Sequence, residues 1–190
     1  MSKINVPAMH NGLPVVSISG KEFSNNTHLT SVIMPNSVTS IAVGLFYMDT
    51  SLENVILSNN LTTLNGTFDN CTSLKSIVVP PKVKVIGDFT FNGCTSLKSI
   101  VVPPNVTVIG DYTFYFCTSI ESVILPSGLV SIGNSAFQSC NSLTSITLPN
   151  SLVSLGYSSF YNCTSLESIG VLGSITSLKH DTFTGDTNLS

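Results

Sequence analysis

Apolar residues recur along this chain at one long interval rather than in helical or strand runs. One column reads Leu29, Leu52, Leu74, Leu97, Ile120, Leu143, Leu166 and Leu189, with steps of 23 residues and a single step of 22. Phe23, Phe46, Phe68, Phe91, Phe114, Phe137, Phe160 and Phe183 form a second column with the same single short step. The missing residue therefore falls between Leu52 and Phe68. Further columns hold Cys71, Cys94, Cys117, Cys140 and Cys163, then Pro35, Pro80, Pro103, Pro126 and Pro149, then Gly87, Gly110, Gly133 and Gly156. A fixed period of this length is the signature of a solenoid, in which each unit buries its apolar face only against its neighbours.

The unit that starts at Leu97 shows how one turn is built. Leu97, Ile100 and Val102 define a strand whose last part alternates, so Ile100 and Val102 face inward and Val101 faces out. Pro103 and Pro104 lack the N–H that would continue the ladder and end the strand. Val106 and Ile109 turn inward from a second extended or turning segment. Gly110 is expected to make a tight bend at positive φ. Phe114 fills the widest part of the coil, and Cys117 packs just before the next strand. Stacking predicts one parallel strand per repeat on one face, ladders of Leu on Leu and Phe on Phe, and little helix.

The spacing and the Pro, Gly, Phe and Cys offsets resemble the BspA-like, or Treponema-type, leucine-rich repeat family. Its consensus is similar to L-x-x-I-x-L-P-x-x-L-x-x-I-G-x-x-A-F-x-x-C, and the resemblance covers residues 13 to 190. It implies a mainly β, right-handed leucine-rich repeat coil and a non-catalytic protein-interaction or adhesion module at the cell surface or secreted, with a structural spacer or virion or surface-layer component without a specific ligand as the alternative. The columns predict a single solenoid over 1–190. Residues 1–28 are expected to form a partial, capping repeat, 29–188 seven repeats, and 189–190 the start of another. The pattern degenerates toward the ends. Asn26, Asp49 and Asp186 take the Cys position, Ser58 and Leu172 the Pro position, and Ala42, Asn65 and Lys179 the Gly position. Capping units are expected to depart in this way.

Composition narrows the function. Hydrophobic residues make up 42% of the 190 residues and charged residues 9%, yet no apolar run nears the ~18 residues of a membrane span. The chain has seven Lys and no Arg, the residue best suited to bidentate phosphate and base contacts, which argues against nucleic acid as a partner. No apolar signal segment follows Met1-Ser2-Lys3.

Three sets of residues invite chemistry. Five equally spaced Cys would stack with Cα atoms ~5 Å apart, close enough for bridges. The column reads instead as small, buried, reduced side chains. No C-x-x-C pair is present and His10, His28 and His180 are scattered, so neither a metal nor a cofactor is expected. Asp88 and Asp111 share one column on adjacent turns and suggest a glycosidase-like pair. Each follows a Gly, a position where Asp accepts backbone N–H bonds, so the structural role is favoured over the catalytic one.

The outward strand face is the remaining candidate. Ile33, Ile56, Val78, Val101 and Ile124 form a β-branched stripe that ends at Thr147 and Gly170. Lys75, Lys98 and Glu121 flank it. Apolar stripes rimmed by polar residues mark contact surfaces, so Ile56, Lys75, Val78, Lys98, Val101, Glu121 and Ile124 are the expected ligand-binding residues. The lysines are expected to favour an acidic rim on the partner.

Overall fold

A computed structural model describes residues 2–20, 23–171 and 174–189 of the chain. Leu172 and Ser190, named above, lie outside the described residues.

The chain winds as a parallel β-solenoid of about seven turns. Front strands lie at Ser2–Asn5, Leu29–Ile33, Asn54–Ile56, Ser99–Val101, Ser122–Ile124, Ser145–Leu148 and Ser168–Val171. They start at or just after the Leu anchors and stop before the Pro column. Proline then closes the turn. Its carbonyl accepts the N–H three residues on, as in Val83 to Pro80 and Val106 to Pro103, both 3.1 Å. Where Ser58 replaces proline, the Leu61 N–H makes the same bond at 3.3 Å.

Each turn also carries a second, two-residue strand. Thr63–Leu64, Val85–Ile86, Val108–Ile109, Ser131–Ile132 and Ser154–Leu155 pair in parallel as one unbroken five-stranded back sheet. Val106 and Ile109 do turn inward, as expected, and the extended segment that holds them is a true ladder. Front and back sheets enclose an apolar core containing Leu29, Leu52, Leu74, Leu97, Ile120, Leu143 and Leu166, all fully buried.

The Phe column is a continuous stack. Neighbouring ring centroids from Phe23 to Phe183 lie 5.1 to 5.7 Å apart. Phe114 sits between Phe91 at 5.4 Å and Phe137 at 5.1 Å. Phe46 through Phe160 are fully buried, while Phe23 and Phe183 at the two ends are partly covered.

The Gly column has a different cause from the one expected. Gly87, Gly110, Gly133 and Gly156 do not have positive φ. What they supply is closeness. A Cβ on Gly110 would lie 2.6 Å from the Asp88 backbone nitrogen and 2.7 Å from the Gly87 carbonyl carbon. A Cβ on Gly133 would meet Asp111 and Gly110 in the same way. Backbone atoms of the adjacent turn fill the space, so only glycine fits.

The first turn holds an addition. Ser2–Asn5 pairs with Leu29–Ile33, and Ser17–Ile18 pairs with Ser40–Ile41. Between them Met9–His10 and Leu13–Pro14 form an antiparallel hairpin. Its tip, Asn11-Gly12, has φ of 49° and 77°, the left-handed pair that a tight hairpin needs.

Candidate functional site

The stripe faces solvent, as its register requires. Ile56 is 59% exposed, Val78 82%, Val101 61% and Ile124 59%, while the alternate residues Val55, Ile77, Ile100 and Val123 are buried. Ile33 and Ile56 are register partners on adjacent turns, and so are Val101 and Ile124.

The front sheet is not continuous beneath this stripe. Residues 76–79 make no backbone hydrogen bond to the turn on either side, and the Lys98 N–H meets the Lys75 carbonyl at 3.3 Å. The ladder opens again between Ser122–Ile124 and Ser145–Leu148. A groove of about 520 Å³ follows the first opening, lined by Val78, Pro81, Val101, Pro103 and Pro104. A second, of about 470 Å³, is lined by Ile124, Ser127, Thr147 and Pro149. The stripe is therefore relieved by two shallow apolar clefts, which the residue pattern alone did not indicate.

The charged flank differs from expectation. Lys75 pairs with Glu53 at 3.4 Å, and Lys98 pairs with Glu121 at 3.2 Å. Neither ammonium is unpaired, so the flank carries balanced charge and does not by itself favour an acidic partner. All four side chains are exposed, and pairs of this kind contribute little to stability.

Asp88 and Asp111 have structural work. Asp88 Oδ1 accepts the Asp111 N–H at 2.8 Å, and Asp111 Oδ1 accepts the Asn134 N–H at 2.7 Å. Asn134 Oδ1 then accepts the Tyr157 N–H at 2.9 Å. The column links each turn to the next rather than capping its own.

All five Cys are free and buried. Each thiol donates to the backbone carbonyl of a Phe, from Cys163 to Phe137 at 3.0 Å up to Cys140 to Phe114 at 3.2 Å. Burial raises every thiol pKa, that of Cys163 to about 12, so none is an available nucleophile at neutral pH. Among the described residues no group of three or more His, Cys, Asp or Glu is placed to hold a metal ion.

One surface escaped the sequence reading. Phe89 stacks on Tyr112 at 5.0 Å, Tyr112 meets Tyr115 edge-on at 5.5 Å, and Tyr115 contacts Phe116 at 4.7 Å. Phe89, Tyr112 and Phe116 have φ of 55° to 56°. Equivalent positions hold Gly44, Gly66 and Gly93, which reach such angles without a Cβ penalty. The signal was available as aromatic residues displacing glycine in two columns.

The BspA type leucine rich repeat region matches in six copies over residues 2–80 and 65–190. The chain belongs to that family. Among solved structures, a leucine rich cell surface protein from Faecalibacterium prausnitzii A2-165 superposes with a TM-score of 0.80 at 31% identity, over 88% of this chain and 46% of that one. The Treponema pallidum leucine rich repeat protein gives 0.79 at 31% identity, over 86% and 77%. The pneumococcal vaccine antigen PcpA shares the fold, with a TM-score of 0.61 at 21% identity over 84% and 43%. The chain thus spans less than half of the Faecalibacterium protein. No curated protein sequence matches it. No helix among the described residues is long and apolar enough to cross a membrane.

Proposed function

We propose that this chain is a non-catalytic interaction module that binds a protein or cell-surface ligand through the outward face of its front strands, at the bacterial surface or secreted. The binding residues are Ile56, Val78, Val101 and Ile124, with Lys75, Lys98 and Glu121 at the margin. The observation that carries the reading is the row of four large aliphatic side chains, each more than half exposed, beside two apolar clefts. Covering them would contribute ~1–2 kcal/mol each before association costs. The family and the cell surface protein from F. prausnitzii support the setting. With Asp88 and Asp111 engaged between turns, a glycosidase reading has no free pair to rest on.

The test is Val78→Asp combined with Val101→Asp, measured for binding to immobilised extracellular-matrix proteins. Both side chains point away from the core, so the melting temperature should hold while binding is lost. Retained binding in the folded double variant would move the site off the strands. A plain spacer would bind neither before nor after the change.

A further inference from the structure

The single short repeat locates a second site. Leu64 pairs with Ile86 in the back sheet. Gly44, Gly66 and Phe89 are equivalent one turn apart, since their N–H groups meet the carbonyls of Asn65, Asp88 and Asp111 at 3.2, 2.9 and 3.0 Å. From Ile41 to Gly44 and from Ile86 to Phe89 the chain takes three steps, but from Leu64 to Gly66 it takes two. The missing residue therefore belongs to the turn at Asn65. A groove of about 370 Å³ lies there.

The groove has a distinct chemistry. Its floor is Gly44 and Gly66, where an added Cβ would find only ordinary contacts at 3.6 Å or more, so both glycines leave room. Tyr47 and Phe89 are its aromatic walls, and Phe89 continues into the Tyr112, Tyr115 and Phe116 cluster. Asp69 and Asp88 supply its charge, and among the described residues no Lys lines it. Each carboxylate is half used. Asp69 Oδ1 accepts from the Asn70 and Asn92 amides at 2.8 and 2.7 Å, and Asp88 Oδ1 accepts from the Asp111 N–H at 2.8 Å. Neither Oδ2 atom has a protein partner among the described residues.

We propose that this groove binds the guanidinium group of an arginine side chain on a polypeptide partner. A planar cation can stack on the aromatic walls while its N–H fork meets the open carboxylate oxygens. Two carboxylates with no counter-cation among the described residues make the charge complementary. The chain has no Arg of its own, so a second copy cannot supply the group. The site stands apart from the front stripe and does not depend on it.

The test uses N-acetyl-L-arginine amide as the probe, titrated into ¹⁵N-labelled full chain and followed by amide shifts. Saturable shifts at Gly44, Gly66 and Phe89 are expected. The citrulline analogue, which keeps the shape but not the charge, should bind about tenfold more weakly or less, and so should the lysine analogue, whose ammonium cannot lie flat. Asp88→Asn keeps the bond to Asp111 and should weaken binding, as should Phe89→Ala. Inserting a glycine between Leu64 and Asn65 restores the common repeat length and should abolish binding, while the Val78→Asp, Val101→Asp variant should bind as wild type. Citrulline or lysine probes that bind as well as arginine overturn the proposal. So do shifts confined to other residues, or an insertion variant that folds and still binds.

Discussion

In the middle of the solenoid, from Cys71 to Cys163, the slot behind the Phe ladder holds a thiol. One turn further out at either end, the same slot holds Asp49 or Asp186. The two solutions have opposite polarity. The thiol gives its proton to a Phe carbonyl, as Cys117 does to Phe91 at 3.1 Å. The carboxylate takes one from a backbone N–H, Asp49 from Asn26 at 2.7 Å and Asp186 from Cys163 at 2.6 Å. In both Asp residues Oδ2 is buried with no partner. The thiol slots of the middle turns are thus matched, while the two Asp slots each carry an unsatisfied oxygen. The difference follows the side chain rather than a lost neighbour, since Asp49 has a turn on both sides and still leaves one oxygen stranded.

The largest expected effect comes from breaking the middle. Phe114→Ala removes a fully buried ring stacked on both sides and should cost about 3–5 kcal/mol. Phe183→Ala, on a partly covered ring with its stacked partner on one side, should cost well under half of that. Chemical denaturation of the two variants checks the contrast. Equal losses would mean that the ends are as tightly packed as the middle.

The acidic ends make stability depend on pH in an unusual direction. Burial pushes Asp49 and Asp186 up from 3.8 to about 6, with the backbone bond pulling the other way. Between pH 4 and 6 the folded chain therefore binds more protons than the unfolded one. Stability from these groups is full below about pH 4 and falls as pH rises toward 6. The protein should be more stable at pH 5 than at pH 7.5, by about 1 kcal/mol from Asp49, the fully buried one. Asp49→Asn should remove its share of that slope and leave the share of Asp186. A melting temperature that drops on acidification from 7.5 to 5 would show that other carboxylates dominate.

Much of this was legible in the residues and part was not. The repeat length, the in/out register at Val101 and Ile100, the Phe stack and the free buried thiols follow from column identity alone, because every turn repeats the same environment. The glycine column misled. Identity reveals that Gly110 is required but not whether φ or closeness requires it, and the answer lies in the backbone of the adjacent turn. The openings in the front ladder have no counterpart in the columns, since residues 76–79 carry the same pattern as 99–102. The lysine pairing could have been read, since Glu53 precedes Lys75 by 22 residues and Glu121 follows Lys98 by 23, one turn in each case. The Asn11-Gly12 hairpin carried its usual turn signal inside a segment expected to be a plain cap.

The smallest effect tests how much the thiol bond itself contributes. Phe91 O accepts both the Cys117 thiol and the Cys94 N–H, the latter at 3.1 Å, so losing the thiol does not leave that carbonyl unpaired. Cys117→Ala therefore loses volume and one weak donor but creates no orphan. Cys117→Ser restores a donor in a slightly smaller group, at the expense of burying a more polar atom. The two variants should differ by no more than about 1 kcal/mol. The residue is then in the middle turns for its size and apolar character, and its proton is secondary. If Ser proves more stable than Ala by well over that amount, the hydrogen bond sets the slot. The carboxylates at the ends, which accept a hydrogen bond where the thiol donates one, would then be the poorer fit to that slot.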